Sequence, residues 1–235
     1  MVDFFAFLAS IAMLVAYQLY LRKRQQRDPL YTVHAVNVVA RNSWVDMVMS
    51  SEKPDVLAVQ TLRNSVMASS FMASTAILLL VGALTLSGSA ENNSGILHAL
   101  NVGGATGAEI TAVKVVALLL DFFVAFFCFS MAVRFYNHVG YMISIPPGRA
   151  VNAASPGLVA AYLNRAGFFY LVGLRSFFYS VPLVFWMFGP HFMLLATLAL
   201  IAALFPLDRA PRSSVRQGEP LRQVVAATRI EPKDR

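Results

Sequence analysis

Apolar residues in this chain fall into long blocks rather than at the short periods of soluble helices or strands. Phe4–Leu21, Val66–Leu86 and Val113–Val133 are each long enough to cross a bilayer, and Gly167–Leu207 is long enough to cross twice. Polar and basic residues collect between the blocks. In lipid every backbone amide needs an internal partner, so the blocks read as helices. The pattern predicts an all-α, polytopic helical membrane bundle, with spans at about 4–21, 66–86, 113–133, 167–188 and 191–207.

Charge decides how the last block is divided. The segment between the first and second spans carries Arg22, Lys23, Arg24, Arg27, Arg41, Lys53 and Arg63. The next segment, Ser87–Lys114, carries Lys114 alone as a basic residue, with Glu91 and Glu109, and its Gly, Ser and Asn content suits a flexible exterior loop. After the third span come Arg134, Arg149 and Arg165, with no acidic residue between Asp121 and Asp208. That alternation follows the positive-inside rule, with the N-terminus outside. A single crossing by Gly167–Leu207 would place Arg209, Arg212, Arg216, Arg222, Arg229, Lys233 and Arg235 on the wrong side. A hairpin at Gly189-Pro190, with Trp186 and His191 near the interface, returns them to the cytoplasm. The expectation is five spans, N-out and C-in, with four as the alternative.

The remaining segments are short. Leu30–Ser51 has a near-helical stripe of Val33, Val36, Ala40, Trp44 and Met47, which predicts an amphipathic helix on the inner surface or against the bundle. Asp55 and Ser155 are expected N-caps, the latter followed by Pro156, and Pro146-Pro147-Gly148 breaks the chain after the third span. Ser65, Ser69 and Ala73 recur every four residues, a spacing that lets helices approach closely in lipid. Residues 1–209 therefore read as one membrane domain and 210–235 as a disordered basic tail. No extramembrane stretch reads as able to build its own core.

Composition agrees: 57% of residues are hydrophobic, 13% are charged, and the mean hydropathy is +0.61. The formal net charge of +7 points to anionic lipid headgroups rather than nucleic acid, because no interleaved basic-aromatic binding motif is present. Cys128 is the only cysteine, which excludes a disulfide framework and a cysteine metal site. No cofactor or metal is expected. His138 and His191 fall at opposite faces, so only His34 with His138 could share a haem. No nucleophile, phosphate-loop or zinc motif is present, and no enzyme is expected.

Two groups of residues stand out. Asp121 lies deep in the third span, where an ionised carboxylate facing lipid would be costly, and Arg175 in the fourth span is its expected partner. That pair reads either as a structural ion pair or as a proton- or ion-coupled site. Gln60, Arg63, Asn64, Arg134, Asn137, His138, Asn164 and Arg165 are expected near the inner face, either as a cluster for an anion or as ordinary interfacial residues.

Several strings are familiar in combination: RNSW (Arg41–Trp44), AVQTLRN (Ala58–Asn64), RFYNHVGY (Arg134–Tyr141), GLRSFFYSVPLVFWMFGP (Gly173–Pro190) and LDR (Leu207–Arg209). From about Phe4 to Arg209 the chain resembles the membrane proteins grouped as "domain of unknown function 599". The resemblance implies a multi-span helical membrane protein and brings no catalytic residues with it. It directs attention to Arg63, Asn64, Arg134, Asn137, His138, Arg175, Pro182, Trp186, Gly189 and Pro190. The expected role is a structural or accessory component of the bacterial inner membrane, working with a homo-oligomer or membrane partner. The alternative is a small oligomeric transporter or channel subunit.

Overall fold

The computed structural model describes residues 2–51, 56–88, 108–145 and 155–211. These form six helices: α1 (Val2–Arg27), α2 (Val33–Ser50), α3 (Val56–Gly88), α4 (Ala108–Met142), α5 (Pro156–Phe188) and α6 (Pro190–Leu207). All but α2 are long and apolar enough to cross a membrane. The expected Asp55 cap, the Pro146-Pro147-Gly148 break, most of the Ser87–Lys114 loop and most of the tail lie outside the described residues.

Local chemistry sets the visible helix ends. The Ala35 amide donates to Thr32 Oγ1 at 3.2 Å to cap α2, and the Leu158 amide donates to Ser155 Oγ at 3.4 Å to cap α5. Gly189 alone separates α5 from α6. Its φ of 143° is open to glycine and strained for other residues. Pro190 then starts α6, where its missing amide hydrogen costs nothing. The predicted hairpin is therefore present at the predicted residues.

α4 packs broadly against both α3 and α5, α6 lies on α5, α1 lies on α6, and α2 crosses α5. α1 and α6 run parallel: Thr197 Oγ1 donates to Ser10 Oγ at 3.1 Å, and Leu204 packs with Tyr17 and Leu21 about two to three turns further on. The odd number of spans puts Asp3 at one end of the bundle and Asp208 at the other.

Helix lengths divide the structure. α6 has 18 residues, about 27 Å, close to the roughly 30 Å of bilayer hydrocarbon. α3, α4 and α5 have 33, 35 and 33 residues, about 50 Å each. Their excess projects past the Asp208 end, where α2 joins it. The largest buried cluster lies in this projection. Val45, Val48 and Met49 come from α2, and Ala58 and Leu62 from α3. Tyr136, Val139 and Met142 of α4 meet Val159, Leu163 and Ala166 of α5. The sequence predicts that no extramembrane stretch builds its own core. No contiguous segment builds one, but the overhanging ends of three spans and α2 together form a helical platform.

The small-residue stripe is used within the bundle. Ser69 is fully buried, and Ala73 and Ala76 face Ala125 and Phe129 of α4. Ser65 and Ser69 donate to the carbonyls of Thr61 and Ser65, so their hydroxyls need no partner in lipid. α4 and α5 approach closely at Gly173. A Cβ there would stand 2.9 Å from Phe129 Cε1 and Cζ, and the Phe129 ring is fully buried against Tyr170 and Phe177. Gly173→Ala is expected to lower stability by about 1–3 kcal/mol through overpacking. Gly140→Ala, with nothing within 4 Å of its Cβ, is expected to be neutral or slightly stabilising in the same detergent unfolding assay.

Candidate functional site

A polar junction closes the bundle where α6 ends. Asp208 is its hub, and it uses three acceptor atoms toward three elements. Its Oδ1 receives Arg175 Nη2 from α5 at 2.7 Å, and its Oδ2 receives the Tyr17 hydroxyl from α1 at 2.8 Å. Its backbone oxygen accepts the Val33 amide at the start of α2, at 3.1 Å. The Ala210 amide answers to Tyr31 O at 3.0 Å. Arg209 spreads its guanidinium over Phe205, 3.6 Å from the ring centroid. Nearby, Gln18 Nε2 donates to the Tyr179 hydroxyl at 2.8 Å and ties α1 to α5.

The junction continues along the seam between α2 and α5. Arg41 Nε donates to Asn164 Oδ1 at 2.9 Å, and Asn164 Nδ2 donates to Asn42 Oδ1 at 2.7 Å. The Arg41 guanidinium occupies the space that a side chain at Gly167 would need. His34, one residue after the amide that binds Asp208, lies within electrostatic reach of both Arg41 and Arg175. Burial first, and then those two cations, hold its imidazole below the ordinary value of 6.5.

The opposite end of the bundle carries a second polar set. Lys114 Nζ and Asp3 Oδ1 are 3.1 Å apart, with side chains only 3% and 6% exposed. The Trp186 indole donates to Asp3 Oδ1 at 3.1 Å, and Lys114 lies 5.6 Å from the indole centroid. Phe7 stacks on the other side of Trp186, with centroids 4.9 Å apart. Trp186 is thus 3% exposed and belongs to the interior rather than to the interface expected for it. Pro190 is buried as well, and His191 is exposed.

The expected Asp121–Arg175 pair is not formed. The packing of Phe129 against Gly173 sets the register of α4 on α5 and places Asp121 near Val181 and Pro182, about 9 Å along the axis from Arg175. Arg175 extends its flexible side chain toward the end of the bundle where α6 delivers Asp208. Asp121 Oδ2 is buried without a hydrogen-bond partner.

Seven of the eight residues expected near the inner face lie outside the seam. Gln60, Arg63, Asn64, Arg134, Asn137, His138 and Arg165 are exposed around the platform. His138 stands edge-on to Tyr162 at 4.7 Å, and Arg165 lies 5.0 Å from the Phe135 ring centroid. Only Asn164 enters the seam. Burial follows helix face, and the three helices turn these polar residues outward while Val139, Leu163 and Leu62 turn in. No group of three or more His, Cys, Asp or Glu side chains gathers in a metal-holding arrangement among the described residues.

The residues that organise both ends, Asp208, Tyr17, Arg41, Asp3 and Lys114, were not singled out as site residues in the sequence. The LDR string and the acid-free stretch from Asp121 to Asp208 point to Asp208, since a basic half-chain has few acids to spare. The same strings bear on the family. The model described as "Protein of unknown function, DUF599" matches residues 5–213. The chain belongs to this family. The DUF599 match takes in both polar sets except Asp3 and ends just past the described part of the chain. No curated protein and no solved structure matches it.

Proposed function

We propose that this DUF599 protein is a structural or accessory component of the bacterial inner membrane rather than an enzyme. Its basic helical platform faces the cytoplasm, rests among anionic headgroups, and works by contact with a second copy or a membrane partner. The observation that carries this reading is the platform itself. The largest buried core among the described residues is spent on a rigid projection beyond the bilayer, with Arg63, Arg134 and Arg165 exposed on its surface. Basic residues at that end accord with a cytoplasmic orientation and with anionic lipid.

A second reading, an oligomeric transporter or channel subunit, is favoured by Asp121 and its partnerless buried oxygen. One variant separates the two. On the accessory reading, Asp121→Leu removes an unpartnered polar group from an apolar setting. It is expected to raise stability by about 1–3 kcal/mol in detergent. Proteoliposomes holding wild type or variant are then expected to leak protons and ions no faster than empty liposomes. Flux carried by the wild type and abolished in a folded Asp121→Leu protein would overturn the accessory reading in favour of transport.

A further inference from the structure

The seam between α2 and α5 holds more positive charge than its partners balance. Among the described residues, Arg41 shares no ion pair with a carboxylate. Its Nε contacts the neutral Asn164, its Nη1 presses on Gly167, and its Nη2 is buried with no hydrogen-bond partner. Arg175 gives Nη2 to Asp208, while its Nη1 is also buried with no partner. An unmade hydrogen bond from a buried guanidinium is costly, so two such donors in one seam call for an acceptor.

The two arginines share that seam because α2 and α5 run antiparallel. The Val33 amide is fixed to Asp208, which holds Arg175, and two turns further along α2 Arg41 meets Asn164 and Gly167. On α5, Asn164, Gly167 and Arg175 fall on one face. His34 and Arg41, seven residues apart, fall on the facing side of α2. Glycine at 167 leaves room for a guanidinium beside the backbone, and any side chain would displace it.

We infer that this seam is an oxyanion-binding site in which Arg41 and Arg175, with His34 beside them, receive a phosphate-type anion. A guanidinium offers paired N–H donors that match two oxygens of one phosphate. One bound anion would supply acceptors for the two orphaned donors and offset the charge that Asp208 leaves over. The seam starts where α6 ends, at the depth of the headgroup layer, so a lipid phosphodiester and a free phosphate share access to it. This inference does not depend on the accessory role and holds for a transporter equally.

The test is thermal unfolding of the purified full chain in a neutral detergent. Dioctanoyl phosphatidylglycerol is compared with dioctanoylglycerol, and inorganic phosphate with chloride at equal ionic strength. The wild-type Tm is expected to rise by several degrees with at least one phosphate-bearing probe over its control. A rise with the lipid alone identifies a headgroup, and a rise with inorganic phosphate identifies a free anion. Arg41→Gln is expected to lose the response. Gly167→Ala keeps every charge but displaces the Arg41 guanidinium, and is expected to lose most of it. Arg134→Gln, exposed on the platform, is expected to respond as wild type does. If Arg41→Gln does not fold, Gly167→Ala carries the comparison. No response in wild type, or an undiminished response in either seam variant, overturns the site.

Discussion

Asp3→Ala is expected to destabilise the protein by about 3–5 kcal/mol, the range for removing one partner of a buried ion pair. Lys114 is 2% exposed, so loss of Asp3 leaves a buried ammonium beside the Trp186 ring without its carboxylate partner. Lys114→Ala should cost a similar amount, because the buried Asp3 carboxylate then keeps the indole N–H but loses the Lys114 ammonium. The double change Asp3→Leu with Lys114→Met should recover most of the loss, since apolar replacement of both partners removes the desolvation penalty together with the attraction. Unfolding by sodium dodecyl sulfate in mixed micelles reads wild type, Asp3→Leu, Lys114→Met and the double change, which close the cycle. Additive losses would show that the two side chains stabilise the bundle separately.

Asp208→Asn should be the next most damaging change. It removes the counter-charge of Arg175 and weakens the acceptor of the Tyr17 hydroxyl. The two charged side chains are 17% and 16% exposed, so water offsets part of the loss and about 2–3 kcal/mol is expected. Arg175→Lys should fall between wild type and Asp208→Asn, because it keeps the charge and loses the fork. The Val33 amide binds the backbone oxygen of residue 208, and that contact survives the substitution. Limited proteolysis should therefore find α2 still docked in Asp208→Asn, with the loss confined to the seam of α1, α5 and α6. Release of α2 would place its anchor in the side chain instead.

The spans were legible because lipid imposes a single rule, and a long apolar block with basic flanks satisfies it in one way. The Gly189-Pro190 hairpin was legible for a related reason. One glycine with positive φ and one proline at a helix start leave little choice of structure. The polar sites were harder to read. Arg175 and Asp121 are ionisable residues within neighbouring spans, and a long arginine side chain can reach across much of their difference in depth, so the sequence alone made them partners. The choice of Asp208 depends on which way a flexible arginine leans and on where the next helix ends, and neither is a periodicity. The outer pair was hidden in another way. Asp3 is the third residue, and Lys114 sits just inside α4, so each read as an isolated flank charge. The platform core was missed because its apolar residues are shared among four segments, each too short to suggest a core alone.

The parallel contact of α1 with α6 also governs how the chain is made. α1, the earliest of the described spans, has as its main packing partner the latest of them, α6, joined through Ser10 and Thr197. Until α6 is synthesised, Tyr17, Arg175 and the start of α2 all lack the residue that ties them together. The central hairpin of α4 on α5 can form during translation, but the circuit around it closes only after α6 has entered the bilayer. A chain released before Leu207 would therefore carry α1, α2 and α5 without the Asp208 hub that joins them.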